Sequence, residues 1–212
     1  MNQNSRAGLV RIGVIADTHC PEFLARLPDR VGEVLAGVDL ILHAGDVGSV
    51  ETLEVLGRLA PVVAVRGDHD SLDLPPRRTV EVGGMRIGLI HGNRSHLIEE
   101  PITFLGTVTL GHVWPHTGLA GWLRRQFPEA DVIVYGHTHL GDRRVQDGVL
   151  IFNPGAVYQV GPVEARERLA RHPGWFEWSW LQVIRHRRVV PPASVGIISI
   201  GPAGPTAEII PL

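Results

Sequence analysis

The stretch VRIGVIADTH, residues 10–19, places an apolar run directly before an aspartate and a histidine. The run from Val10 to Ala16 predicts a buried strand, and Asp17 and His19 follow the point where it ends. Alternate residues of an extended chain project to the same side, so both side chains can reach one ion. The stretch therefore predicts an α/β sheet with polar ligands at the end of a strand.

Four further motifs repeat this arrangement. An isolated histidine at a strand end is usually only hydrogen-bonded, so any one motif alone is weak evidence. Together they predict a shell for two metal ions, because imidazole mixed with carboxylate oxygen suits manganese, iron, nickel or zinc better than calcium. A carboxylate such as Asp46 can offer oxygens to both ions. The motifs, each after an aliphatic run, are Gly45-Asp46, Gly67-Asp68-His69-Asp70, His91-Gly92 and Gly136-His137-Thr138-His139.

Composition excludes several classes of protein. The chain has 212 residues and 44% hydrophobic content, which fits about one domain. Its formal charge of -2 gives no general electrostatic field that would attract nucleic acid or acidic membranes. All 20 basic residues are arginine, which excludes a lysine nucleophile and a P-loop lysine. Cys20 is the only cysteine, so we expect neither an intramolecular disulfide nor a cysteine-rich zinc site. No apolar run approaches the ~20 residues of a membrane span, and we expect a cytoplasmic protein.

The pattern of apolar residues predicts two packed sheets covered by helices. Parallel pairing is expected in the first half, where strand and helix signals alternate. Later turn signals predict antiparallel hairpins. The expected elements are apolar residues at helical spacing from Phe23 to Leu35, strands at 10–16, 40–43 and 62–65, a helix from about Val50 to Leu59 with Ser49 as N-cap, hairpins at 79–90 and 144–152, and short strands at 195–200 and 207–210.

Two stretches do not fit this scheme. The segment from Asn93 to Pro128 is too long for an ordinary connection and predicts a lid or a substrate-facing insertion. The segment from Tyr158 to Pro191 has a periodicity that fits neither helix nor strand. Several tryptophans usually serve core packing or a subunit interface, so a homo-oligomer through this Trp-rich segment is one expectation. Its aromatic residues are Trp175, Phe176, Trp178 and Trp180.

These motifs resemble the calcineurin-like metallophosphoesterase superfamily, in particular its small bacterial and archaeal phosphodiesterase branch. The resemblance runs from about Val10 to Ala156 and includes the turn Asn153-Pro154-Gly155-Ala156. It implies a four-layer αββα sandwich of two mixed β-sheets flanked by helices. The whole chain, 1–212, would be a single metallophosphoesterase domain with insertions near 93–128 and 158–191.

The resemblance also implies a site with two divalent metal ions, manganese being the expected metal. The family pattern has asparagine where this chain has Asp68, an extra carboxylate. His69 would be a general acid near the leaving group, with Asp70 positioned to orient it. The implied ligands are Asp17, His19 and His139 for the first ion, Asp68, His91 and His137 for the second, and Asp46 as the bridge.

The implied activity is hydrolysis of a small phosphate-ester substrate by a hydroxide that two metal ions activate. Phosphodiesters are the expected substrates, with monoesters as a near variant. The chain has no Gly-x-Ser-x-Gly elbow, so no covalent nucleophile is expected. The alternative is a catalytically weak protein-binding scaffold, because the same fold resembles a eukaryotic trafficking subunit.

Overall fold

The computed structural model describes residues 9–94, 101, 104–105, 109, 118–187 and 189–212. Within them the chain forms ten strands and five helices. The strands are β1 (Val10–Ile15), β2 (Leu40–His43), β3 (Val62–Ala64), β4 (Arg77–Val82), β5 (Met85–Ile90), β6 (Val132–Val134), β7 (Asp142–Gln146), β8 (Val149–Asn153), β9 (Ser194–Gly201) and β10 (Gly204–Pro211). The helices are α1 (Asp29–Leu35), α2 (Val50–Gly57), α3 (Leu119–Gln126), α4 (Pro162–Leu169) and α5 (Trp175–Ile184).

The strands build two mixed five-stranded sheets. The first has the order β10-β9-β1-β2-β3 and the second β4-β5-β6-β8-β7. β1, β2 and β3 are parallel, as expected, while the β9–β10, β4–β5 and β7–β8 pairs are antiparallel hairpins. The predicted α/β sandwich of two mixed sheets flanked by helices is therefore confirmed.

The main core lies between the two sheets. On β1, Ile12 and Val14 face inward and pack in one buried cluster with Phe152 of the second sheet. The alternate residue Ile15 faces the other way, where it shares a second cluster with Leu35 of α1 and Leu56 of α2. This two-residue alternation buries both faces of β1, which explains why the strand reads as a nearly continuous apolar run. Full burial of each such side chain contributes about 1.5–3 kcal/mol.

Helix boundaries depart from the sequence expectation in two places, the end of α2 at Gly57 rather than about Leu59 and the start of α1. α2 follows its predicted N-cap, because the Ser49 side chain accepts a hydrogen bond from the backbone N–H of Thr52. The helical spacing that starts at Phe23 gives a helix only from Asp29. Pro28 stands just before it in an extended conformation (ψ 140°) and disfavours a helical Leu27, so the helix cannot extend backward through it.

The chain divides into two compact units: Met1–Gly92, Ala120–Tyr158 and Ala193–Leu212 in the first, and Asn93–Leu119 and Gln159–Pro192 in the second. The organisation as one domain with two insertions stays a prediction. The histidines of the segment from Asn93 to Pro128, His96, His112 and His116, lie outside the described residues. None of the described helices is long and apolar enough to cross a membrane.

In the second unit, α4 and α5 pack together. Arg168 of α4 donates hydrogen bonds to Glu177 of α5 at 2.6 and 2.9 Å. The segment from Tyr158 to Pro191 thus contains two helices. Its sequence did not indicate the Trp-rich one, α5, because apolar residues occur around the whole helix rather than on one face. Trp175 and Trp178 stack with ring centroids 5.6 Å apart and remain exposed. The homo-oligomer interface expected here stays a prediction.

Candidate metal centre

The loops that follow five strands carry every metal ligand that the sequence nominates. Parallel strands bring their carboxyl ends to one edge of a sheet, so side chains distant in sequence converge there. A hydrogen bond from the backbone N–H of His137 to Asp17 Oδ1 (3.2 Å) links the edges of the two sheets. The positions are Asp17 and His19 after β1, Asp46 after β2, Asp68 after β3, His91 after β5, and His137 and His139 after β6.

These side chains form two groups of three. Ligand atoms of Asp17, His19 and His139 lie within 4.8 Å of one another, and so do those of Asp68, His91 and His137. The closest oxygen–nitrogen pairs in the groups are Asp17 Oδ1 with His139 Nε2 at 3.5 Å and Asp68 Oδ2 with His137 Nδ1 at 3.2 Å. Two further groups meet the same distance limit, Asp17 with Asp46 and His91, and His19 with Glu22 and His69, so the implied division between two ions stays a prediction.

Asp46 lies between the groups. Its Oδ2 atom is 3.6 Å from His19 Nε2 and 3.4 Å from His91 Nε2, one histidine from each group. Its other oxygen, Oδ1, accepts a hydrogen bond from the backbone N–H of His69 at 2.8 Å. Oδ2 is therefore the Asp46 oxygen that lies near a histidine of each group.

Five of the seven nominated side chains stand on strained backbone. Non-glycine residues rarely adopt positive φ angles, and each such residue costs about 1–3 kcal/mol unless its surroundings enforce it. Strain of this kind concentrates at functional sites, where it aims side chains. The φ angles are 52° at Asp17, 47° at His19, 55° at Asp46, 66° at His137 and 56° at His139.

The glycines of the motifs leave room for the ligands. A Cβ atom at Gly67 would overlap both the carboxylate and the backbone nitrogen of Asp46. A Cβ at Gly45, where φ is +93°, would lie 2.6 Å from Nδ1 of His91. Glycine directly before Asp46 and directly before Asp68 is therefore a steric requirement of the close approach of neighbouring loops.

Buried hydrogen bonds hold the ligand loops against one another. Nδ1 of His43 accepts from the backbone N–H of Gly45 at 3.3 Å, so in the neutral ring Nε2 donates to Thr18 Oγ1 at 3.1 Å. Thr18 Oγ1 in turn donates to the carbonyl of Val47 at 2.8 Å. These bonds join the loop after β1 to the loop after β2. Sequence analysis gave Thr18 no role, because its position in the motif does not show which loop its hydroxyl meets.

Asn153 holds the loop that carries the last two histidines. Its side-chain amide donates to the carbonyl of Gly136 at 2.8 Å and to Thr138 Oγ1 at 3.1 Å, and its Oδ1 accepts from Gly155 at 2.9 Å. The residue is fully buried. The Asn-Pro-Gly-Ala turn is thus an anchor for the Gly136–His139 loop.

The Asp70 carboxylate accepts hydrogen bonds from three backbone amides. Its Oδ1 accepts from the backbone N–H groups of Val47 (2.8 Å) and Gly48 (3.0 Å), and its Oδ2 accepts from Gly67 (2.8 Å). The carboxylate therefore joins the loops after β2 and β3, and its role in orienting His69 stays a prediction. The acidic group that the structure places by His69 is Glu22, whose Oε2 atom is 3.9 Å from His69 Nδ1. No motif in the sequence pointed to Glu22.

Burial and charge together set the protonation of the centre. Burial lowers the pKa of His19 to about 4 and that of His139 to about 3, so both imidazoles are neutral and able to coordinate at neutral pH. Burial also raises the pKa of the Asp17 carboxyl well above its usual range. Burial opposes the charge on His91, but the nearby Asp46 carboxylate outweighs it and raises the pKa of His91 to about 10. In the same pair, burial favours a neutral Asp46 and the histidines His91 and His19 more than offset it, lowering the pKa of Asp46.

The donor set fits divalent metal ions. Three buried atoms, Asp17 Oδ2, His19 Nδ1 and His91 Nε2, have no hydrogen-bond partner among the described residues, although His91 Nε2 lies near Asp46. An unsatisfied buried polar atom costs about 1–3 kcal/mol, and a cation can satisfy oxygen and nitrogen lone pairs. Nδ1 of His91 is 2.8 Å from the carbonyl of Ala44, which leaves Nε2 as the nitrogen that would coordinate after a metal ion displaces its proton.

Comparison with known proteins places this geometry in context. The family description "Calcineurin-like phosphoesterase superfamily domain" matches residues 10–168. A probable metallophosphoesterase of Methanothermobacter thermautotrophicus is 35% identical over 149 residues, covering 68% of this chain and 76% of that protein. A probable metallophosphoesterase of Methanocaldococcus jannaschii is 37% identical over 152 residues, covering 70% of this chain and 69% of that protein.

Solved structures share the fold at low sequence identity. Vacuolar protein sorting 29 of Cryptosporidium parvum has a TM-score of 0.63 and 22% identity, with 96% of this chain and 98% of that chain covered. A structure described as a novel archaeal phosphodiesterase has a TM-score of 0.54 and 18% identity, with 95% of this chain and 100% of that chain covered. At such identities the likeness establishes the architecture alone.

Proposed function

Because this chain belongs to the calcineurin-like phosphoesterase superfamily, we propose that it hydrolyses phosphodiesters with the help of two divalent metal ions. The observation that carries the proposal is the pair of three-residue ligand groups joined through Asp46 Oδ2. The relatives named as probable metallophosphoesterases support hydrolysis of phosphate esters. The resemblance to the small phosphodiesterase branch and the fold shared with an archaeal phosphodiesterase favour diesters over monoesters.

Each nominated side chain has a role in this proposal. Asp17, His19 and His139 would hold one ion, Asp68, His91 and His137 the other, and Asp46 both. Manganese is the proposed metal, since a set of imidazole and carboxylate ligands without thiolate suits it. Two bound ions would lower the pKa of a water molecule and neutralise charge on the phosphate oxygens.

His69 stands at the open side of this cluster. Its side chain is 48% exposed, and its ring lies 5.1 Å from the ring of His19. The bond from its backbone N–H to Asp46 ties the residue to the central carboxylate. From this position His69 would donate a proton to the departing alkoxide. The requirement for that proton depends on the leaving group, which makes the role testable.

The first experiment measures metal and turnover together. Purified protein is stripped with a chelator, reloaded with manganese and assayed with bis-p-nitrophenyl phosphate, while metal content is measured per chain. We expect about two ions per chain in the wild type. Asp46→Asn should bind less metal and should be at least about 100-fold less active, because it lacks the carboxylate charge that both ions would share. Asp131→Asn is the control, since Asp131 is exposed and its carboxylate accepts only the N–H of Arg86 among the described residues.

A second pair of substrates tests His69. His69→Ala should slow cleavage of an alkyl phosphodiester much more than cleavage of the p-nitrophenyl ester, whose leaving group needs no proton. Equal losses on both substrates would remove the acid role.

A protein-binding scaffold is the alternative function, because vacuolar protein sorting 29 has the same architecture. The complete set of ligand-type side chains favours an enzyme. Two ions per chain without turnover of bis-p-nitrophenyl phosphate or p-nitrophenyl phosphate would favour the scaffold.

A further inference from the structure

Beside the candidate metal centre, two aromatic side chains and two histidine rings form one cluster. Phe23 stacks on Tyr158 with ring centroids 5.0 Å apart and an interplanar angle of 25°. His19 contacts both rings, at 5.2 and 5.7 Å, and Phe23 is 6.1 Å from His69. We call Phe23, Tyr158, His19 and His69 the aromatic shelf. Tyr158 and His19 are buried while Phe23 and His69 reach solvent, so the shelf has a rigid base and an open rim.

Local structure places Phe23 and Glu22 at this rim. The backbone N–H of Phe23 donates to the carbonyl of His19 at 2.9 Å, which folds the chain back by one turn after the first metal motif. Glu22 is therefore on the same side as His69, with its Oε2 atom 3.9 Å from Nδ1. The Glu22 side chain is 49% exposed, and the described residues give it no arginine partner. Among the described residues the group that can balance its negative charge is His69, when that ring is protonated, and no guanidinium does so.

From these contacts we propose that the aromatic shelf and Glu22 bind the leaving-group half of the substrate and select a flat, uncharged alcohol. An alcohol that carries its own phosphate or carboxylate would be rejected. The inference rests on the proposed function, which puts the departing oxygen at His69. Ring faces at the rim can stack on an aromatic leaving group, and the Glu22 carboxylate repels an anionic one.

The size of the discrimination follows from Coulomb's law. Two like charges about 6 Å apart at a solvent-exposed rim, where the effective dielectric constant is about 60, repel by an amount that corresponds to about fivefold in affinity. Removing the carboxylate should abolish this factor. Removing an aromatic face should weaken both neutral and anionic ligands by about three- to tenfold, because stacking does not depend on their charge.

Binding of two matched phosphonates tests the proposal without requiring turnover. The probes are methyl (4-carbamoylbenzyl)phosphonate and methyl (4-carboxybenzyl)phosphonate, in which a methylene group replaces the leaving oxygen. Their dissociation constants are measured by calorimetry on the manganese-loaded protein. The wild type should bind the carbamoyl probe about fivefold more tightly, and Glu22→Gln should bring the two affinities within about twofold.

Matched variants separate local from general effects. Glu54→Gln makes the same change of charge at an exposed position on α2 and should keep the fivefold ratio. Phe23→Leu should weaken both probes and also keep the ratio. Equal affinities in the wild type, or a ratio that survives Glu22→Gln, would overturn the proposal. A third manganese ion per chain that is lost in Glu22→Gln would also overturn it, because Glu22 would then be a metal ligand.

The outcome is distinguishable from failure of the proposed function. If bis-p-nitrophenyl phosphate is hydrolysed but the ratio is absent, the shelf proposal alone is wrong. If the ratio is present and depends on Glu22 but no ester is hydrolysed, the shelf binds as proposed and the hydrolase function is wrong.

Discussion

Replacing Asp70 with alanine should loosen the metal centre rather than the leaving-group side. The substitution removes three hydrogen bonds, from the N–H groups of Val47, Gly48 and Gly67, at 2.8, 3.0 and 2.8 Å. The bonds lie in a partly buried region, so each is worth about 1 kcal/mol and the set about 3 kcal/mol. For a chain of this length that corresponds to a fall in melting temperature of about 6–12 °C.

The same change should weaken metal binding. Val47 follows Asp46 directly and Gly67 precedes Asp68, so the lost bonds release two nominated ligands at once. We expect manganese affinity to fall about 10- to 100-fold, as for other groups that hold ligands in place. The assays are thermal unfolding of the metal-free protein and competition of manganese with a chelating dye. Asp131→Ala is the control, because it removes one exposed bond to Arg86 and should cost less than about 1 kcal/mol.

One pattern of results would refute this reasoning. If Asp70→Ala unfolds at the wild-type temperature, keeps its manganese affinity and slows only the alkyl phosphodiester, then Asp70 acts through His69 as the sequence suggested.

Two further predictions concern pH. Burial lowers the pKa of His43 to about 4, against about 6.5 in an unfolded chain, so the unfolded state binds the proton first as pH falls. Between pH 7.5 and 4.5 the unfolding free energy of the metal-free wild type should therefore fall by about 2.5 kcal/mol more than that of His43→Gln. Urea titrations measure both, and the same pH dependence in the two proteins would contradict this prediction. Asp68→Asn removes a negative charge from the second ligand group and should lower the pH at which activity rises, while an unchanged acidic limb of the rate profile would argue against Asp68 as a ligand.

Strands were the part of the fold that the sequence predicted best. The motif Asp17-Thr18-His19 follows an apolar run whose alternate residues fill two clusters, and that pattern depends only on neighbours along the chain. The helix over Trp175–Ile184 was missed because its residues are apolar on more than one face, so periodicity carries no signal. Pro28 shortened α1 in a way that apolar spacing alone does not show.

By itself, the sequence determined which side chains are nominated as ligands, because each ligand motif follows its own strand and the end of that strand fixes the position of the motif at the edge of the sheet. Only the tertiary structure decided which groups support them. Asp70 meets amides 22 and 23 residues away in the chain, and Glu22 meets His69 across two loops. Hydrogen-bond partners of this kind are set by how separate loops pack against each other, and a linear pattern of residues contains no record of those distances.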